Sequence, residues 1–212
     1  MQCKVNPAMN DLHKALGEIS SIRRQVARST EFRGYGPATL ATTGVLAVVA
    51  AAVQAWLVPD AAHHVAGYLA VWISTAVVAS ALAGVEVYRR SERVHSGMSD
   101  EMIRMAVEQF LPAAAAGLLV TVVVLRAVPA VVWIVPGLWQ VIFSLGIFAS
   151  CRFLPRPMLA AGVWYLFTGL ILVSLGDGQS FSPWAMGIPF GAGQLLVAGI
   201  LLWSGRKGEH EG

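Results

Sequence analysis

Residues 108–156 read EQFLPAAAAGLLVTVVVLRAVPAVVWIVPGLWQVIFSLGIFASCRFLPR, and this stretch decides the fold. Residues 109–125 carry no charge, Arg126 interrupts once, and residues 127–151 are again free of charge. An apolar helix needs roughly 20 residues to cross a hydrocarbon core of about 30 Å. Pro129 and the Pro136-Gly137 pair sit between the two apolar blocks and allow the chain to reverse. The stretch therefore reads as a transmembrane hairpin. Its first half is short only because Glu108 and Arg126 bound it, and long side chains at those positions reach interfacial water.

Working outward, the same pattern recurs on both sides. Charge-free blocks cover residues 34–59 and 61–85 before the hairpin, and 157–176 and 178–205 after it. The predicted spans are about 36–58, 64–87, 105–127, 131–151, 157–176 and 182–204. The expected fold class is all-α: a polytopic membrane protein built as a bundle of six transmembrane helices. Residues 1–33 form a cytoplasmic tail and amphipathic helix, 34–205 the transmembrane domain, and 206–212 a cytoplasmic tail.

Composition supports a membrane chain. Of 212 residues, 56% are hydrophobic and 13% charged, with a mean hydropathy of +0.64. A soluble domain is nearer 25% charged. The surplus apolar surface exceeds what one small core can bury, so lipid must cover part of it. A net charge of +3 would suggest nucleic acid in a soluble chain. In this chain the basic residues cluster at the ends of apolar blocks, so they serve as an orientation signal and no direct nucleic-acid partner is expected.

Of the 15 Lys and Arg residues, all but Arg126 fall on one side if the N-terminus is cytoplasmic. Lys4, Lys14, Arg23, Arg24, Arg28 and Arg33 precede the first span, and Arg89, Arg90, Arg93 and Arg104 join the second to the third. Arg152 and Arg156 precede the fifth, and Arg206 and Lys207 follow the sixth. The positive-inside rule then places both termini in the cytoplasm. Cys3 and Cys151 lie on or near that reducing side, so no disulfide is expected. The charged first 33 residues lack an apolar core like that of a cleavable signal, so the first span is expected to direct insertion.

Met9, Leu12, Leu16, Ile19, Ile22 and Val26 recur at helical spacing. Lys14, Arg23, Arg24 and Arg28 lie mostly off that stripe, which predicts a basic amphipathic helix just before the first span. Such a helix rests on anionic headgroups. The alternative is that Arg23, Arg24 and Arg28 contact a cytoplasmic partner or a second copy of the chain. The largest connection, residues 88–104, carries both signs of charge, and Ser99-Asp100-Glu101 suits a helix start. Outer connections at about 59–64, 126–130 and 177–182 are too short for an external domain. Trp56, Trp133, Trp184 and Trp203 fall near span ends, as interfacial tryptophans do.

Small residues recur at four-residue spacing: Ala47, Ala51 and Ala55; Ala76, Ser80 and Gly84; Gly187 and Gly191. Packing within the bundle explains them more simply than a dimer motif. Polar groups inside the spans are few: Gln54, Gln140, Gln194, Thr121, Tyr165 and Thr168 stand out. Pro136 precedes Gln140 much as Pro189 precedes Gln194. A proline frees a backbone carbonyl, which a nearby glutamine satisfies or shares with a ligand. Gln140 and Gln194, with Trp139 and Tyr165, are thus the candidate ligand-binding residues. The plainer reading is helix-to-helix hydrogen bonding by these glutamines.

Other chemistry finds little support. Glu86 precedes Arg89 and Arg90 at ion-pair spacing, so a proton-coupling role is the weaker reading. Asp60, His63 and His64 share one short connection, but a metal needs three or four converging ligands, and no metal site is expected. The spans hold no histidine beyond His64 at the outer edge of the second, which excludes bis-histidine haem within the bilayer. Dinucleotide, P-loop, HExxH and GxSxG signatures are missing. No catalytic residue and no cofactor is assigned. A membrane enzyme would need an acidic or histidine cluster at one face, and only Glu86, Glu92 and Glu108 come near to that.

Residues 22–32, IRRQVARSTEF, lead into a small-residue span, and Pro136-Gly137-Leu138-Trp139 opens another. These segments resemble a group of uncharacterised bacterial inner-membrane proteins of about six spans, with the tail before Met9 as a departure. Members are often encoded beside winged-helix regulators. The resemblance implies a sensing or regulatory partnership and carries over no catalytic residue. The leading expectation is a non-enzymatic membrane sensor, regulator or scaffold with a cytoplasmic protein partner or a homo-oligomer. The alternative is a small transporter or lipophilic-solute binder that uses the polar groups of spans four and six.

Overall fold

The computed structural model describes residues 36–93, 99–150 and 156–210, all within the compact unit Arg33–Gly212. The predicted amphipathic helix, with Arg23, Arg24 and Arg28, lies outside the described residues, as do Cys3 and Cys151.

Every described element is helical. Helix α1 spans Pro37–Leu57, α2 Val65–Arg93 and α3 Ser99–Ala127. A 3-10 segment, Pro129–Ile134, leads into α4, Val135–Ser150. A second, Arg156–Met158, leads into α5, Leu159–Ser174. A helical turn at Asp177–Ser180 precedes α6, Pro183–His210.

Among the described residues, four segments are long and apolar enough to cross a membrane: Pro37–Leu57, Val65–Glu86, Pro129–Ser150 and Pro183–Trp203. Leu111–Ala127 and Leu159–Ser174 are shorter apolar helices. Such lengths and compositions are those of an integral membrane protein.

The helices do not stop where the apolar runs stop. Helix α2 continues to Arg93 and α3 begins at Ser99, because Glu, Arg and Met propagate a helix well in water. Asp100 and Glu101 fall in the first turn of α3, where acidic groups complement the helix dipole. The reversal after α3 is also more local than the prolines suggest. It is made at Val128 and the 3-10 segment from Pro129, while Pro136 and Gly137 are buried in the first turn of α4. Proline is tolerated there because its missing N–H has no helical acceptor. Gly176 ends α5 at φ +78°, a left-handed conformation open to glycine and costly for other residues.

Two antiparallel pairs, α1 with α6 and α4 with α5, make the most extensive helix contacts. In the first pair a Cβ added at Gly187 would lie 2.5 Å from Ala51 Cβ, and one at Gly44 3.1 Å from the Gly191 carbonyl. In the second, a Cβ at Gly137 would lie 2.8 Å from the Gly169 carbonyl, and one at Gly169 2.7 Å from the Gly137 carbonyl. Lipid tails are as apolar as leucine, so close backbone approach and dispersion bind these helices.

The small-residue stripes therefore separate. Ala47, Ala51, Gly187 and Gly191 are buried at one interface, whereas Ala55 is exposed. Ala76, Ser80 and Gly84 on α2 are all exposed, with nothing within 4 Å of a Cβ added at Gly84. Helix α2 is the least covered of the long apolar helices among the described residues, 17% of its apolar stretch being buried against 33% for the other three.

Candidate functional site

Helix α6 and the turn just before it are held by polar side chains from three other helices, at the carbonyls of Phe181, Ala185 and Pro189. Gln54 of α1 donates Nε2 to the Phe181 carbonyl at 2.8 Å. Gln140 of α4 donates Nε2 to the Ala185 carbonyl at 3.0 Å. Trp164 of α5 donates Nε1 to the Pro189 carbonyl at 2.9 Å.

The backbone explains the first two. The Ala185 N–H bonds the Ser182 carbonyl, so it does not close a full helical turn onto Phe181. Pro189 has no N–H to give the Ala185 carbonyl four residues earlier. Both carbonyls are part-buried and would otherwise lack a helical donor, at a cost of up to about 1–3 kcal/mol each. Gln54 is itself fixed from behind, since Trp72 Nε1 donates to its Oε1 at 2.7 Å. Gln54 and Gln140 are both fully buried.

The candidate ligand-binding residues take separate places around this arrangement. Gln140 lies against Ala185 and Met186, with Nε2 3.6 Å from the Met186 sulfur. Its neighbour Trp139 turns to α3 and donates Nε1 to Thr121 Oγ1 at 2.8 Å. Thr121 in turn donates to the Gly117 carbonyl at 2.7 Å. Tyr165 is buried in an aromatic trio with Phe143 and Phe190, at centroid distances of 4.8 and 5.1 Å. Its ring lies over Gly193, where an added Cβ would collide with it. Gln194 is half-buried on the other side of α6, beside Gly44 of α1. Gln140 and Tyr165 thus share the α4–α5–α6 interface, while Gln194 and Trp139 point to different ones.

Three buried polar atoms have no donor or acceptor among the described residues: Gln140 Oε1, Tyr68 Oη and Tyr165 Oη. Tyr68 packs its ring on Phe181 at 5.1 Å. The groups around α6 are amides, indoles and phenols. They orient and hold hydrogen-bonding groups, but they supply no carboxylate or imidazole for proton transfer at neutral pH.

The connection between α1 and α2 forms an open depression of about 560 Å³ lined by residues 57–60 and 63–67. Within it Asp60 accepts from His63 Nδ1 at 2.9 Å. This hydrogen bond holds the Asp60 carboxyl below its ordinary range and raises the His63 imidazole above its own. Among the described residues no three His, Cys, Asp or Glu side chains converge as metal ligands. Glu86 is half-buried near the far end of α2 and Glu108 is exposed.

Gln54 was visible in the sequence as a polar residue in a span, but its pairing with Trp72 and Phe181 left no local signal. Trp164 and Gly193 had none either, since an indole or a glycine in an apolar helix is ordinary. No family model, curated protein or solved structure matches the chain.

Proposed function

We propose that the chain is a six-span protein of the bacterial inner membrane, with both termini cytoplasmic, acting as a non-enzymatic sensor, regulator or scaffold. The observation that carries this reading is the use of the polar side chains within the apolar helices: Gln54, Gln140 and Trp164, from three helices, bond carbonyls on α6 and in the turn just before it. A rigidly cross-tied bundle suits a platform whose working surface lies elsewhere.

The six-span count takes in the two shorter apolar helices. The 16 residues of α5 rise about 24 Å, short of a core of about 30 Å. Local thinning and snorkelling of flanking residues make up such a difference. The one-sided Lys and Arg distribution supports the orientation. The resemblance to inner-membrane proteins encoded beside winged-helix regulators supports a cytoplasmic protein partner. The partner surface would be Arg23, Arg24 and Arg28 together with the 88–104 connection; a second copy of the chain is the other occupant.

The test is native mass spectrometry of the chain extracted with its own lipids. A co-purifying polypeptide or stable homo-oligomer is expected, and charge reversal at Arg23, Arg24 and Arg28 should remove it while leaving insertion intact. Unchanged association in that variant would contradict the reading. Cysteines introduced at His64 and Arg206 should label from opposite sides of the membrane.

One observation favours a second reading, a small transporter or lipophilic-solute binder. Gln140 Oε1 is buried and no described donor meets it. A monomer carrying a discrete small-molecule mass would support that reading.

A further inference from the structure

The carboxamide of Gln140 is fixed in orientation. Its Nε2 faces the Ala185 carbonyl, which Pro189 leaves without a helical donor. Rotating the amide by half a turn would set oxygen against oxygen, so the hydrogen-bond network assigns Nε2 to that side. Oε1 must then face away from Ala185, and no described group donates to it although Gln140 is fully buried. A buried carbonyl in an apolar layer strongly favours a partner.

The neighbourhood limits what that partner is. Gly137 and Gly169 bring α4 and α5 so close that a Cβ on Gly169 would lie 3.0 Å from Gln140 Cβ. So close an approach excludes a bulky guest. The groups gathered there are an amide, the Ala185 carbonyl and the Met186 thioether, with no anion to balance a cation. The guest is therefore neutral, and it must donate. A second buried polar atom without a partner, Tyr165 Oη, lies in the same α4–α5–α6 interface.

We infer that Gln140 Oε1, beside the Pro189 break in α6, binds a small neutral hydrogen-bond donor buried between α4, α5 and α6. Water and small neutral amides or alcohols share the required chemistry. Water would serve a scaffold by satisfying the outward-facing oxygen of the Gln140 amide, and an exchangeable solute would serve the solute binder.

The experiment uses the full chain, labelled with 15N-glutamine, in lipid nanodiscs. The Gln140 side-chain amide signal is identified by its loss in Gln140→Glu, and its cross-relaxation partners are recorded in the wild type. A cross-peak at the water frequency supports the inference with water as guest, and counts against the solute-binding reading. A cross-peak to an unlabelled proton that belongs to neither protein nor water supports it with a co-purified solute. Cross-peaks to protein protons alone overturn it. A density map of the wild-type protein in nanodiscs gives the same decision without any variant. A feature within hydrogen-bond distance of Oε1 is expected, and a protein donor or empty space there overturns the site.

Discussion

Gln140 donates Nε2 to the Ala185 carbonyl at 3.0 Å, and that carbonyl is the one Pro189 cannot serve. A helix break on α6 is thus repaired from α4. A second carbonyl, that of Phe181 in the turn preceding α6, is served by Gln54 of α1. Interhelical hydrogen bonds in membranes contribute about 0.6 kcal/mol on average and up to about 1.7 kcal/mol. Their value lies as much in fixing register as in stability.

Gln54 has more at stake than Trp164. Replacing Gln54 by Leu leaves both the Phe181 carbonyl and the Trp72 indole N–H buried without a partner. Replacing Trp164 by Phe leaves the Pro189 carbonyl inside α6, where a backbone N–H four residues on is the ordinary partner. Gln54→Leu should cost about 2 kcal/mol or more and Trp164→Phe about 0.6 kcal/mol. Unfolding in bicelles would measure both, and equal costs would contradict the assignment.

The crossing of α4 with α5 depends on the absence of side chains. A Cβ at Gly169 meets the Gly137 backbone carbonyl at 2.7 Å, and backbone cannot move aside as a side chain can. Gly169→Leu should therefore cost about 3 kcal/mol or more. Gly84→Ala on the open face of α2 should change stability by less than about 1 kcal/mol, in the stabilising direction. The same unfolding assay applies, and a tolerated Gly169→Leu would count against the packing.

His63 and Asp60 form an exposed pair outside the apolar helices. The His63 pKa is raised above its ordinary 6.5 by the Asp60 hydrogen bond, so its share of stabilisation is complete below that value. That share is lost as pH rises through the raised pKa. The Asp60 share is present above its ordinary carboxyl value and is lost as pH falls through its lowered one. The pair is therefore intact between the lowered Asp60 pKa and the raised His63 pKa. NMR titration should show His63 moving back toward 6.5 in Asp60→Asn, with little change in stability because solvent screens the pair. An unchanged His63 titration would remove the contact.

The helical class was legible because charges bound each apolar block, as Glu108 and Arg126 do. The break at Pro189 was legible too, since a proline inside an apolar helix must strand a carbonyl. Its partner was not. The sequence sets Gln194 near Pro189 and Gln140 near Pro136 along each helix, but the fold sends Gln140 across to the Pro189 break and leaves Gln194 beside Gly44. That exchange depends on which helices become neighbours in space, which no periodicity within one helix encodes. The aromatic trio around Tyr165 and its seat over Gly193 are likewise long-range facts. Side-chain orientation, not residue type, separates the buried Gln140 from the half-buried Gln194.

The most direct test is a double-mutant cycle between Gln140 and Pro189, read by reversible unfolding in bicelles. Gln140→Leu alone should destabilise by about 1–2 kcal/mol, because it strands the Ala185 carbonyl. In a Pro189→Ala background the restored N–H serves that carbonyl, so the same substitution should cost at least about 0.5 kcal/mol less. Equal costs in the two backgrounds would contradict the claim that α4 repairs the break in α6.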